Sequence, residues 1–125
     1  MVIGEKIENK KIALEYKELL KISYQRLTDS DKKIIRQALN IAVKAHSNQR
    51  RKSGEAYIFH PINVAKIVAE KIGLEATSIA AALLHDVIED SDFTINDINK
   101  IMGETIGKIV EGLTKISHLK KDKNF

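Results

Sequence analysis

The sequence predicts an all-α fold of about six helices, and three observations carry that reading. Apolar residues recur at helical spacing along nearly the whole chain, no period-two run of β-branched residues exceeds four or five, and Asn-Gly and Asp-Gly hairpin signals are absent. Residues 5 to 22 set Ile7, Leu14, Leu19, Leu20 and Ile22 among charges, which predicts an amphipathic first helix. Thr28-Asp29-Ser30-Asp31 is a cluster of N-cap residues, followed by Ile34, Ala38, Ile41, Ala42 and Ala45 in a second helix that runs to about His46 or Arg50. Arg51 to Tyr57 is polar and contains Gly54, so it reads as a loop. Pro61 suits the first turn of a third helix whose Val64, Ile67, Val68 and Ile72 face inward, with Gly73 as its C′ residue. The fourth helix, roughly 75 to 89, is apolar on every face from Ile79 to Leu84 and must run through the centre of a bundle. Ile95, Ile98, Ile101 and Met102 mark a fifth helix started by Thr94. Ile106, Ile109, Val110, Leu113 and Ile116 mark a sixth after Gly103.

Composition narrows the function classes. With 125 residues, the chain suits one domain. The absence of cysteine excludes disulfide scaffolds, thiolate zinc clusters, iron–sulfur sites and thiol nucleophiles. The longest apolar run is six residues, far short of the roughly 18 to 20 that a membrane span requires. Residues 1 to 6 lack a basic segment followed by an apolar one, so a cytoplasmic protein is expected. The formal charge of +4 favours anionic partners, but aromatic residues make up only 5%, too few for the stacking platforms typical of single-stranded nucleic-acid binders.

The chemistry concentrates where the central apolar run ends. His85-Asp86 follows it directly, and Glu89-Asp90 lies one turn further on. Ionisable groups at the end of a buried helix must be paired, neutralised or bound to a cation. The i, i+4 spacing of 85 with 89 and of 86 with 90 gathers all four at one helix end. His60, just before Pro61, is held rigidly enough to reach the same place. Two imidazoles and a carboxylate without thiolate make a mixed N/O set suited to Mn²⁺, Fe²⁺ or Zn²⁺. His46 and His118, among charged neighbours, are read as surface histidines.

Three segments then stand in order: Arg51-Lys52-Ser53-Gly54-Glu55-Ala56-Tyr57-Ile58-Phe59-His60-Pro61, Leu83-Leu84-His85-Asp86-Val87-Ile88-Glu89-Asp90, and Gly112-Leu113-Thr114-Lys115. Together, over about residues 28 to 118, they resemble the hydrolase domain of the RelA/SpoT-homologue family, within the HD metal-dependent phosphohydrolases. The resemblance implies an HD-domain helical bundle that uses a single Mn²⁺ to hydrolyse the alarmones ppGpp and pppGpp, releasing pyrophosphate from the 3′ position. It implies His60, His85 and Asp86 as metal ligands and Glu89 and Asp90 as the pair that orients or deprotonates the attacking water. Arg51, Lys52 and Ser53 would line the nucleotide site, with Arg51 packed on the guanine. The family's fourth ligand is an aspartate in a helix downstream of the Gly-x-Thr-Lys segment. That helix would begin after Phe125, so the chain is expected to be a domain cut short at its C-terminal side. Ala56 also stands where the family usually has proline. Two alternatives remain at this stage: an alarmone-binding or regulatory module without catalysis, and an HD phosphohydrolase acting on another nucleotide.

Overall fold

In the computed structural model, residues 3–23, 27–72 and 75–122 are described, and among them seven α-helical segments are found without a β-strand. They are α1 (Ile3–Ser23), α2 (Asp29–Ala45), α3 (Phe59–Ile67), α4 (Ala76–Leu84), α5 (Val87–Asp90), α6 (Ile95–Met102) and α7 (Glu104–Asp122). A π-helical turn, Val68–Ile72, extends α3. Two starts follow directly from their residues. Thr28 caps α2 by accepting from the Asp31 N–H while the Asp31 carboxylate accepts from the Thr28 N–H, and Thr94 and Asp97 repeat this reciprocal pair at α6. Each capping box satisfies two amide donors that a helix start leaves without a partner.

The all-apolar α4 is the axis of the molecule. It packs against α2, α3 and α7, and every residue from Ile79 to Leu84 is buried. Ile35, Ala38 and Ala42 of α2, Ile62 and Ala65 of α3, Ile98 of α6 and Val110 of α7 complete one continuous core. The run of alanines in α4 lets neighbouring helices approach from several sides while leucine and isoleucine fill the gaps between them.

The expected fourth helix is interrupted. Regular α geometry stops at Leu84, the chain turns through His85 and Asp86, and one further turn, α5, holds Val87–Asp90. Pro61 does lie in the first turn of α3, yet the inward face of that helix is carried by Ile62, Ala65 and Ala69. Ile67, expected inside, is 56% exposed, because it falls on the opposite side of the helix from those three residues. Gly73 and the side chains of Ile72, Ile116 and His118 lie outside the described residues. No helix of the described residues is long and apolar enough to cross a membrane.

Candidate metal centre

The turn between α4 and α5 carries two chemically different, partly buried side chains, His85 and Asp86. His85 caps α4, and its Nδ1 lies 2.6 Å from the Ala82 carbonyl oxygen. A carbonyl only accepts, so this ring nitrogen carries a proton and Nε2 is the atom presented to the site. His85 Nε2 lies 3.0 Å from Asp86 Oδ2, and His60 Nε2, from the first turn of α3, lies 3.7 Å from the same oxygen. The His60 and His85 rings meet edge to face at 5.4 Å. The three predicted ligands therefore converge from two elements far apart in sequence.

The electrostatics follow from that convergence. Burial would push the Asp86 carboxyl up, but hydrogen bonds from His85 and Tyr57 and the nearby imidazoles overcome it and hold the group down at about 2. Burial would likewise favour a neutral His85, but bonding to Asp86 and to the Ala82 carbonyl raises its pKa above the usual value. His60 moves the other way, lowered by burial and by the adjacent His85. The two imidazoles are thus shifted in opposite directions, His85 towards its charged form and His60 towards its neutral one.

The donor set fits a divalent cation. One ligand atom from each of His60, His85 and Asp86 lies within 4.8 Å of the others. Two ligands on one ion, with bonds of about 2.0 to 2.4 Å, stand about 3 to 4.5 Å apart, so little adjustment is required. The 3.0 Å between His85 Nε2 and Asp86 Oδ2 is a separation that two ligands of one ion can have. The Ala82 carbonyl already fixes the orientation of the His85 ring, as outer contacts do for metal-bound histidines.

The remaining predicted residues flank this cluster. Glu89 and Asp90 lie on α5, the turn that follows, and the Asp90 charge is close enough to act on His85 and Tyr57. Arg51, Lys52 and Ser53 are exposed and line an open depression of about 550 Å³ with Arg50, Glu55 and Tyr57. The Arg51 charge acts on both Tyr57 and His60, which places the loop on the metal side of the molecule. The loop is closed by an antiparallel bridge between Arg50 and Ala56, with bonds from Arg51 N to Glu55 O (2.9 Å) and from Tyr57 N to Gln49 O (3.0 Å). Gly54 turns it at φ 89°, a conformation that side-chain-bearing residues rarely adopt. On its outer side, Arg50 forms a two-point ion pair with Glu8 of α1, and Lys11 lies 3.8 Å from Glu55.

Two features escaped the sequence reading, and one reading is corrected. Tyr57 donates a 2.6 Å hydrogen bond to Asp86 Oδ2 across 29 positions of sequence. Gln49 donates to the Ala45 and Asp90 carbonyls, so its own amide oxygen must accept from His46 Nδ1 at 2.8 Å. His46, expected at the surface, is 1% exposed, with its ring 4.9 Å from that of Tyr57. It lies four residues beyond buried Ala42 and eleven beyond buried Ile35, a helical spacing that would have placed it inside despite its polar neighbours.

A helical bundle that brings two histidines and the aspartate of a His-Asp pair to one point defines a metal-binding helical domain of the HD type. Residues 38–124 match the family described as HD domain, and the chain belongs to that family. Among curated proteins it is similar to a guanosine-3′,5′-bis(diphosphate) 3′-pyrophosphohydrolase of Aquifex aeolicus, with 48% identity over 86 residues, or 69% of this chain and 12% of the relative. A protein of the same name from Vibrio cholerae is 40% identical over 105 residues, covering 84% of this chain and 15% of that protein. The bifunctional (p)ppGpp synthase/hydrolase SpoT of Escherichia coli is 45% identical over 94 residues, covering 75% and 13% respectively. The chain thus spans a small fraction of the length of these relatives.

Proposed function

We propose that the chain forms part of a cytoplasmic, metal-dependent hydrolase of guanosine 3′,5′-bis(diphosphate), acting on ppGpp and pppGpp to give GDP or GTP and pyrophosphate. The observation that carries the reading is the meeting of His60, His85 and Asp86 beside the exposed Arg51-Lys52-Ser53 loop. In this reading His60 and His85 bind a single Mn²⁺ through imidazole nitrogen and Asp86 through carboxylate oxygen, and a further aspartate outside residues 1–125 completes the set. The ion, when bound, lowers the pKa of its water and screens phosphate charge. Glu89 and Asp90 orient the attacking water and accept its proton as the bond to phosphorus forms. The bond between that phosphorus and the 3′ oxygen breaks, the 3′ oxygen leaves and takes up a proton as the free hydroxyl, and pyrophosphate carries away the water oxygen. Arg51 packs its planar guanidinium on the guanine, and Lys52 and Ser53 hold the nucleotide beside it.

The test is hydrolysis of ppGpp by the full polypeptide to which this chain belongs, in Mn²⁺, with GDP and pyrophosphate quantified. Changing Glu89 and Asp90 together to Gln and Asn should lower the rate about 10²- to 10⁴-fold while Mn²⁺ binding persists, because amides keep the shape and lose proton acceptance. Arg51→Ala should raise KM more than it lowers kcat, since stacking acts in the ground state as well. Turnover unchanged by the double substitution would remove the acidic pair from the mechanism. Loss of the metal would make the pair ligands instead.

A further inference from the structure

We propose that Tyr57 is a positioning residue: its hydroxyl fixes the Asp86 carboxylate for metal binding and links that ligand to the closure of the Arg51–Ser53 loop. The inference rests on the metal reading above and assigns a role to a side chain outside the ligand set.

Asp86 is not held by a regular helix. It stands at the break between α4 and α5 with φ −102° and ψ −2°, so its side chain must be oriented by its neighbours. Tyr57 supplies a 2.6 Å bond to Oδ2. A carboxylate oxygen has two lone pairs, so one can accept from the phenol while another faces the ion. The phenol itself has little freedom. Its ring lies between the buried His46 ring at 4.9 Å and the ligand His60 ring at 5.6 Å. Its backbone N–H is bonded to the Gln49 carbonyl, the last link of the ladder that closes the loop. A movement of the loop base therefore moves the hydroxyl, and the hydroxyl holds the ligand. Nucleotide seated on the loop and metal seated on Asp86 should each strengthen the binding of the other by one common factor.

Mn²⁺ affinity, read by electron paramagnetic resonance on wild type, Tyr57→Phe, Asp86→Asn and the double variant, tests this. Tyr57→Phe should weaken Mn²⁺ binding about 10- to 100-fold, the usual effect of losing an outer-shell hydrogen bond, and should change the zero-field splitting of the bound ion. In the Asp86→Asn background the same change should have no further effect. Replacing Tyr57 with 3-fluorotyrosine, which keeps ring and hydroxyl, should restore affinity to within about threefold; a packing role alone would be met equally by phenylalanine. Equal affinity in wild type and Tyr57→Phe, or an additive effect in the double variant, overturns the proposal. Wild-type affinity in Asp86→Asn would instead overturn the metal reading on which it rests.

Discussion

The pairing of His85 with Asp86 gives the candidate site two opposite responses to acid. Asp86 has a folded-state pKa of about 2 against an ordinary 3.8. A depressed carboxyl stabilises the fold fully above its unfolded value, and that contribution is lost as pH falls from about 4 through 2. Allowing for solvent screening of a half-buried group, it is worth about 1 to 2 kcal/mol, and Asp86→Asn should remove that part of the slope from a stability–pH curve measured by urea unfolding. His85, raised above the ordinary histidine value, works the other way: its stabilisation is present below that value and fades as pH rises through the raised one. A metal competes with a proton for His85 Nε2, so Mn²⁺ affinity should fall by up to about tenfold per pH unit below the His85 pKa, as titration calorimetry across pH 5 to 8 can show. His46 has a structural role. Its ring is fully buried and bonded to Gln49, and His46→Ala should cost about 2 to 4 kcal/mol through the cavity and the stranded amide oxygen.

At the scale of elements, much of the architecture was legible because it is written in local chemistry. Thr28 and Thr94 announce helix starts through side chains that bond three residues ahead, and both boxes form. Replacing Thr28 with Ala should destabilise the molecule by about 1 kcal/mol, visible as a lower urea midpoint with an unchanged slope. The uniform apolarity of Ile79–Leu84 likewise leaves no solvent face, so burial on all sides was unavoidable. What could not be read depended on distant partners. The stop after Leu84 leaves His85 and Asp86 bonded to Ala82, Tyr57 and each other rather than continuing the helix, and the Tyr57 bond spans 29 positions. Ile67 misleads for a related reason: an apolar residue on an outer helix face obeys no rule, since much of any protein surface is apolar. The meeting of His60, His85 and Asp86 was legible from their placement at helix ends. The supports behind them, Tyr57, Gln49 and His46, come from loop pairing that only the folded chain reveals.

For the molecule as a whole, an ion held at this site would be thermodynamically linked to the fold. His60 comes from α3, and His85 and Asp86 from the end of α4, so a bound cation would join the loop-bearing side of the bundle to its central axis. Binding to the folded form alone stabilises it by about 2.7 kcal/mol at a metal concentration one hundred times Kd. A rise in Tm on adding Mn²⁺, reversed by chelator and absent in Asp86→Asn, is the expected result. Although the chain carries only +4, its cations are locally gathered: Arg51 and Lys52 are adjacent in sequence and line one depression, beside Arg50, which is paired with Glu8.

The short stretch from the loop to the third helix also governs where the chain tolerates a change of length. The ladder between Arg50 and Ala56 closes below the Gly54 turn, and Tyr57 and His60 follow within the next four residues. One residue inserted between Lys52 and Ser53 lengthens only an exposed tip, leaving the ladder and everything after it in register. One inserted between Tyr57 and His60 would rotate the imidazole by about 100° around its helix relative to the tyrosine, carrying one or the other away from Asp86. In an insertion scan of positions 50 to 60, soluble variants that still bind Mn²⁺ should cluster at the tip and vanish abruptly past Tyr57. That boundary would separate a segment free to vary in length, and so in nucleotide preference, from one whose spacing is fixed by the metal.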